Sequence, residues 1–154
     1  FGHMLANGAT TWWEGFGSNQ TYTSSLSHGW SGSPTWFLTT YVLGARRTGV
    51  NTWELKPALS EVVHAEGQLP LAQGVLSASW ESGPCSSHIT VSAPPGSGGN
   101  ILLNNHPNAQ LYLNGVLIDP LDDFARNTGS SRSEISIPLI EGDHSLEIRF
   151  ACPN

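Results

Sequence analysis

LYLNGVLI, residues 111–118, is the stretch on which the fold turns. Leu111 and Leu113 lead into Asn114-Gly115, and Val116 and Ile118 follow. Asn-Gly between two apolar runs is the strongest short-range hairpin signal, because a two-residue loop needs positive φ at both central positions. The same period of two recurs on either side. Leu76, Ala78 and Trp80 alternate with Ser77 and Ser79, and Ile89 and Val91 flank Thr90. Ile135, Ile137 and Leu139 alternate, Gly142-Asp143 reads as a turn, and Leu146, Ile148 and Phe150 alternate again. Such alternation buries one face of each strand, which places Trp80 in a core with Leu76 and Ala78. APPGSGGN (93–100) reads as a loop; it lacks the Lys-Ser/Thr of a phosphate-binding loop. Short alternating strands separated by turn residues imply a mainly β fold, an antiparallel β-sandwich over residues 51–154.

Residues 1–50 have a different character. Ser33 can cap a helix, Pro34 suits its first position, and Gly44 suits the residue just past its end. Between them Trp36, Phe37, Leu38, Tyr41, Val42 and Leu43 cover most of the helical circumference. A helix apolar nearly all round is buried on several sides. The residues beside it are too few to bury it, so residues 1–50 are expected to be the remnant of a larger helical body. No internal repeat stands out.

Composition narrows the function. Charged residues make up 12% of the 154, against about 25% in an average globular domain. A chain rich in Gly, Ser, Thr, Pro and Asn suits a secreted, extracellular, loop-rich β protein. The formal net charge of −6 and the lack of a basic run argue against a nucleic-acid partner. No apolar run is long enough to span a bilayer, so no membrane partner is expected. Phe1-Gly2-His3-Met4 lacks the charged and apolar regions of a signal peptide, and the sequence reads as though it starts inside a larger protein. Cys85 and Cys152 lie outside any CxxC pattern; they are either one disulfide or two buried thiols. Asn19-Gln20-Thr21 is a glycosylation sequon, which makes Asn19 a candidate acceptor.

Several chemistries fail at the sequence. GWSGS (29–33) has its second glycine one place too early for a nucleophile elbow. The histidines at 3, 28, 64, 88, 106 and 144 form no pair at metal-ligand spacing. Asp122-Asp123 reads as a solvated loop rather than a calcium site. Glu14 remains, flanked by Trp12, Trp13 and Phe16. Aromatic neighbours desolvate a carboxylate and raise its pKa, and their faces suit the apolar faces of sugars, so Glu14 is a reasonable glycosidase element. The plain alternative is a partly exposed glutamate beside packed aromatics.

The ordered set GATTWWEGF, SLSHGWSGSPTWFLTTYVLGAR and TWELKP resembles the last part of the catalytic domain of α-L-rhamnosidases of glycoside hydrolase family 78. AEGQLPLAQGVLSASWE, ITVSAPPGSGGNILL and EGDHSLEIRF resemble that family's C-terminal β-sandwich. The resemblance covers essentially the whole chain and makes FGHML native sequence rather than a tag scar. It implies that residues 1–50 close an (α/α)6 catalytic barrel and that residues 51–154 are the C-terminal sandwich. It implies an inverting hydrolase that removes terminal α-L-rhamnose from glycosides without a cofactor. Glu14, in Thr10-Thr11-Trp12-Trp13-Glu14, takes the place of the general base. His28, in SHGW, takes that of the histidine binding the sugar, although its spacing from Glu14 is shorter than in some members. Trp13 and Trp30 are candidates to line the sugar site or to pack the barrel. The general acid has no counterpart in these residues, so the partner required is the N-terminal part of the same enzyme, and the chain alone is expected to be inactive. The competing reading is a non-catalytic carbohydrate-binding or structural sandwich, which as a sugar binder needs an exposed aromatic among Trp53, Trp80 and Tyr112.

Overall fold

The computed structural model describes residues 1–15, 25–59, 62–106, 108–118 and 134–152. Phe16, Asn19 and its sequon, and Asp122-Asp123 lie outside the described residues. The chain divides into two compact units, Phe1–Phe37 and Leu38–Asn154.

The first unit holds α1 (Gly2–Ala6), a 3-10 turn (Gly29–Gly32) and α2 (Ser33–Phe37). Its one buried apolar side chain among the described residues is Met4. Trp30, Trp36 and Phe37 are exposed. So little burial falls far short of the conformational entropy that folding costs.

The second unit begins with a π-helical stretch, Leu38–Leu43. Helical structure thus spans the residues expected from Ser33 to Leu43, but it widens from α to π after Phe37. Gly44 ends it at φ +86°, as the left-handed position past a helix requires. A Cβ there would lie 2.0 Å from the Lys56 carbonyl oxygen. Leu38 and Tyr41 are exposed. Leu43, by contrast, is core: its carbonyl accepts the buried Trp80 indole N–H at 3.1 Å.

Among the described residues eight strands follow: β1 (Ala45–Arg47), β2 (Thr52–Leu55), β3 (His64–Leu71), β4 (Gly74–Ser82), β5 (Ser86–Asn104), β6 (Gln110–Leu113), β7 (Val116–Ile118) and β8 (Glu134–Arg149). They are hydrogen-bonded in the order β1-β2-β5-β8-β6-β7, with β4 and then β3 also added to β5. The long strands β5 and β8 run antiparallel over nearly their whole length, with a register shift between Ala93 and Gly98. The first half of β5 pairs β4, and the second half pairs β2. Each long strand therefore serves two layers, and both layers bury side chains in one core. Trp53, Leu55, Leu76, Trp80, Ile89 and Ile101 are its most enclosed members.

The mainly β architecture and the alternation in β4, β5 and β8 are as expected. The hairpin also forms as read: Leu113 pairs Val116, and Asn114 and Gly115 take φ of 51° and 79°. Three features differ. APPGSGGN is not a free loop; it lies within β5, where residues 94–97 form the irregularity between two paired halves. Gly142-Asp143 does not reverse the chain. At Gly142, φ +110°, β8 continues opposite Ala93. Its buried positions change there from Ile137 and Leu139 to Leu146 and Ile148. One added residue flips a strand's faces, so the glycine keeps both halves pointing into the core. Finally, β2 and β5 pair in parallel, which the crossover through β3 and β4 permits.

Candidate functional site

Glu14 sits on a short ladder between residues 11–14 and 25–28. Its backbone N–H donates to the Ser25 carbonyl at 2.8 Å, and the Ser25 N–H donates to Glu14 Oε2 at 2.9 Å. His28 N–H donates to the Trp12 carbonyl at 2.7 Å, and the Thr11 hydroxyl donates to the Leu26 carbonyl. The carboxylate and His28 thus come from two stretches held together by backbone hydrogen bonds. His28 also opens the 3-10 turn, its carbonyl accepting the N–H of buried Ser31 at 3.1 Å.

Ring contacts flank the ladder. Trp12 meets Phe1 edge-on with centroids 5.4 Å apart, and Trp13 meets His3 at 6.1 Å. His28 meets Trp30 at 5.4 Å, while Trp30 is 91% exposed. Glu14 is exposed, and Trp12, Trp13 and His28 are half-buried. In this chain the carboxylate is fixed in position by an amide donor and is open to water. That arrangement can accept a proton from water, provided other surfaces control which water reaches it.

The described residues bring Glu14, Trp13, His28 and Trp30 into one small unit. His3 and Ser25 were not legible as participants: one lies near the start of the chain and the other in a serine-rich run. Among the described residues no group of His, Cys, Asp or Glu is placed to hold a metal ion. Cys85 and Cys152 are joined as a disulfide.

None of the three sandwich aromatics expected to serve a sugar is a free platform. Trp53 and Trp80 are 0% and 1% exposed. Tyr112 carries the Arg149 guanidinium 4.3 Å above its ring. Arg149 also grips Glu147 with two hydrogen bonds of 2.8 and 2.9 Å. That bond holds the Glu147 carboxyl below its usual pKa and raises that of Arg149.

No protein-family model matches the chain, and no curated protein does. Solved structures do. The α-L-rhamnosidase from Dictyoglumus thermophilum superposes with a TM-score of 0.80 at 19% identity, over 97% of this chain and 17% of that one. The Streptomyces avermitilis α-L-rhamnosidase, solved in complex with L-rhamnose, gives a TM-score of 0.72 at 19% identity, over 96% of this chain and 14% of that one. The chain therefore spans only a small part of the enzymes it matches, and its fold is that of one section of an α-L-rhamnosidase.

Proposed function

We propose that the chain is the C-terminal section of an inverting α-L-rhamnosidase that releases terminal α-L-rhamnose from glycosides. The observation that carries this reading is the ladder joining TTWWE to SHGW, on which Glu14 and His28 are fixed together. The superposition over nearly the whole chain supports the same assignment. Residues 1–50 complete the catalytic barrel, and residues 51–154 form a sandwich that braces it. Glu14 is the general base that takes a proton from the attacking water. His28 binds the rhamnose, with Trp13 and Trp30 beside it. The general acid, which protonates the leaving oxygen, comes from another section of the enzyme. Inversion needs the two carboxyl groups about 6.5–9.5 Å apart, with the water between base and sugar. The enzyme works outside the cell, with Asn19 as a glycan acceptor.

The test uses the whole enzyme. Glu14→Gln is expected to lower kcat on an aryl α-L-rhamnoside by about 10²–10⁴-fold, the usual worth of a general base. Proton NMR should show β-L-rhamnose as the first anomer released. Full activity in the Glu14→Gln enzyme, or first release of the α anomer, overturns the assignment. The 154-residue chain alone is expected to show no turnover. Activity in rigorously purified chain, lost in Glu14→Gln, contradicts the need for a second section.

A further inference from the structure

A groove of about 1180 Å³ lies on the second unit, well away in sequence from Glu14. Its size exceeds the usual range of small-molecule sites, about 300–1,000 Å³. Leu111, Ile118, Ile148 and Phe150 give it an apolar lining. Asn104, His106, Asn108 and Gln110 give it a polar one, and all four are exposed. The lining also includes Thr40 and Tyr41, which belong to the π-helical stretch. Such widened helices are rare and occur often at functional sites.

The charges are what define the ligand. Among the described residues, Arg46 and Lys56 are the two lining side chains that carry a full charge, and each has an ion-pair partner. Arg46 donates twice to Glu54 Oε2, at 2.8 and 2.5 Å, and Lys56 is 2.5 Å from Glu134 Oε2. Among the described residues no carboxylate lines the groove. Among the described residues, a phosphate or an acidic sugar would find no cation there without an ion-pair partner. Each side-chain amide carries two N–H donors and a carbonyl acceptor; the Gln110 carbonyl already accepts from the Tyr112 hydroxyl at 3.2 Å, and the remaining donors and acceptors suit the neighbouring hydroxyls of a sugar ring, while the apolar lining suits its C–H face.

We propose that this groove is a second sugar site, taking a neutral pyranose or a short neutral glycan and separate from the Glu14 ladder. It does not depend on the catalytic assignment, because its residues and its readout are independent of Glu14. The experiment is a ¹⁵N-¹H NMR titration of the 154-residue chain with L-rhamnose, D-galactose and, as a charged control, D-glucuronate. The side-chain amides of Asn104, Asn108 and Gln110 are expected to shift saturably with at least one neutral sugar at millimolar concentration. Asn108 has φ 69°, so Asn108→Gly removes its amide without backbone strain. Asn104→Ala combined with Asn108→Gly is expected to weaken binding about tenfold, the loss of two hydrogen bonds. Glu14→Gln is expected to change nothing. Should the double variant lower the melting temperature, Asn104→Asp removes donors isosterically and is expected to weaken binding in the same direction. The proposal is overturned by no saturable shift with either neutral sugar, by shifts confined to residues 1–37, by unchanged affinity in the folded variants, or by tighter binding of glucuronate.

Discussion

Glu14 is anchored through both its backbone and its side chain to one residue, Ser25, and so the position of its carboxylate is tied to the 25–28 stretch. His28 shares that stretch, and His28→Ala in the whole enzyme is expected to raise KM more than it lowers kcat. The opposite pattern would make His28 part of the chemistry rather than of sugar binding. Glu147 offers a separate measurement on the sandwich. Its carboxyl is held below the usual glutamate value, chiefly by the hydrogen bond from Arg149. A folded-state pKa that is depressed contributes stability above the unfolded value, lost as pH falls through the folded one. NMR titration is therefore expected to show the Glu147 midpoint rising in Arg149→Ala, while the acid side of the stability profile becomes shallower; an unmoved midpoint removes the coupling. What the sequence conveyed at this scale was residue type and neighbourhood. Glu14 and His28 stood out because chemically distinctive residues lay in a resembling order. That the rings pack against Phe1 and His3, leaving Glu14 exposed, depends on contacts no spacing rule encodes.

At the scale of elements, two glycines set how closely β2 approaches its neighbours. A Cβ on Gly99 would lie 2.2 Å from the Trp53 carbonyl oxygen and 2.3 Å from its ring. Gly99→Ala is expected to destabilise the second unit by about 1–3 kcal/mol, the usual cost of overpacking. Gly44→Ala adds a positive φ to a clash with the Lys56 carbonyl and should cost at least as much. A melting temperature unchanged in both would contradict the packing described. Trp80→Phe leaves the Leu43 carbonyl without its indole donor, and about 1–3 kcal/mol is expected for that loss. Strands with one buried face were legible, because alternation is a local consequence of one-sided burial. β4 and the 111–118 hairpin are the clearest cases. The parallel β2–β5 pairing was not legible, since it is fixed by a crossover, and neither was the change of buried phase along β8. A glycine-aspartate pair signals positive φ equally well in a turn and in a strand that changes phase. The ten-residue helix expected on composition exists only in part as α-helix, and nothing in its residue types announces the π form.

The molecule as a whole leaves large apolar side chains uncovered. Trp30, Trp36, Phe37, Leu38 and Tyr41 are each more than half exposed, far from the pattern of a self-sufficient small domain. The chain is expected to associate as its concentration rises, and sedimentation should show this. Trp36→Ser combined with Phe37→Ser should reduce it, whereas a wild-type chain that stays monomeric at high concentration would count against a covering partner. The Cys85–Cys152 disulfide spans 67 residues of sequence. Loop-closure entropy alone sets its contribution at about 4 kcal/mol, so reduction is expected to lower the melting temperature by many degrees without abolishing the sheet.

The shared strands carry one more consequence. β5 and β8 each belong to both layers, so neither layer can come apart while the other persists intact. Opening β2 from β5 frays the same strand that β4 and β8 need. The sandwich should then behave as a single cooperative foldon. Amide protons in the middle of β5 and β8 should exchange with solvent only through global opening, at rates matching one another despite lying in different layers. Joining residues so distant in sequence also demands a slow search, so the sandwich is expected to fold late, after its whole length is available.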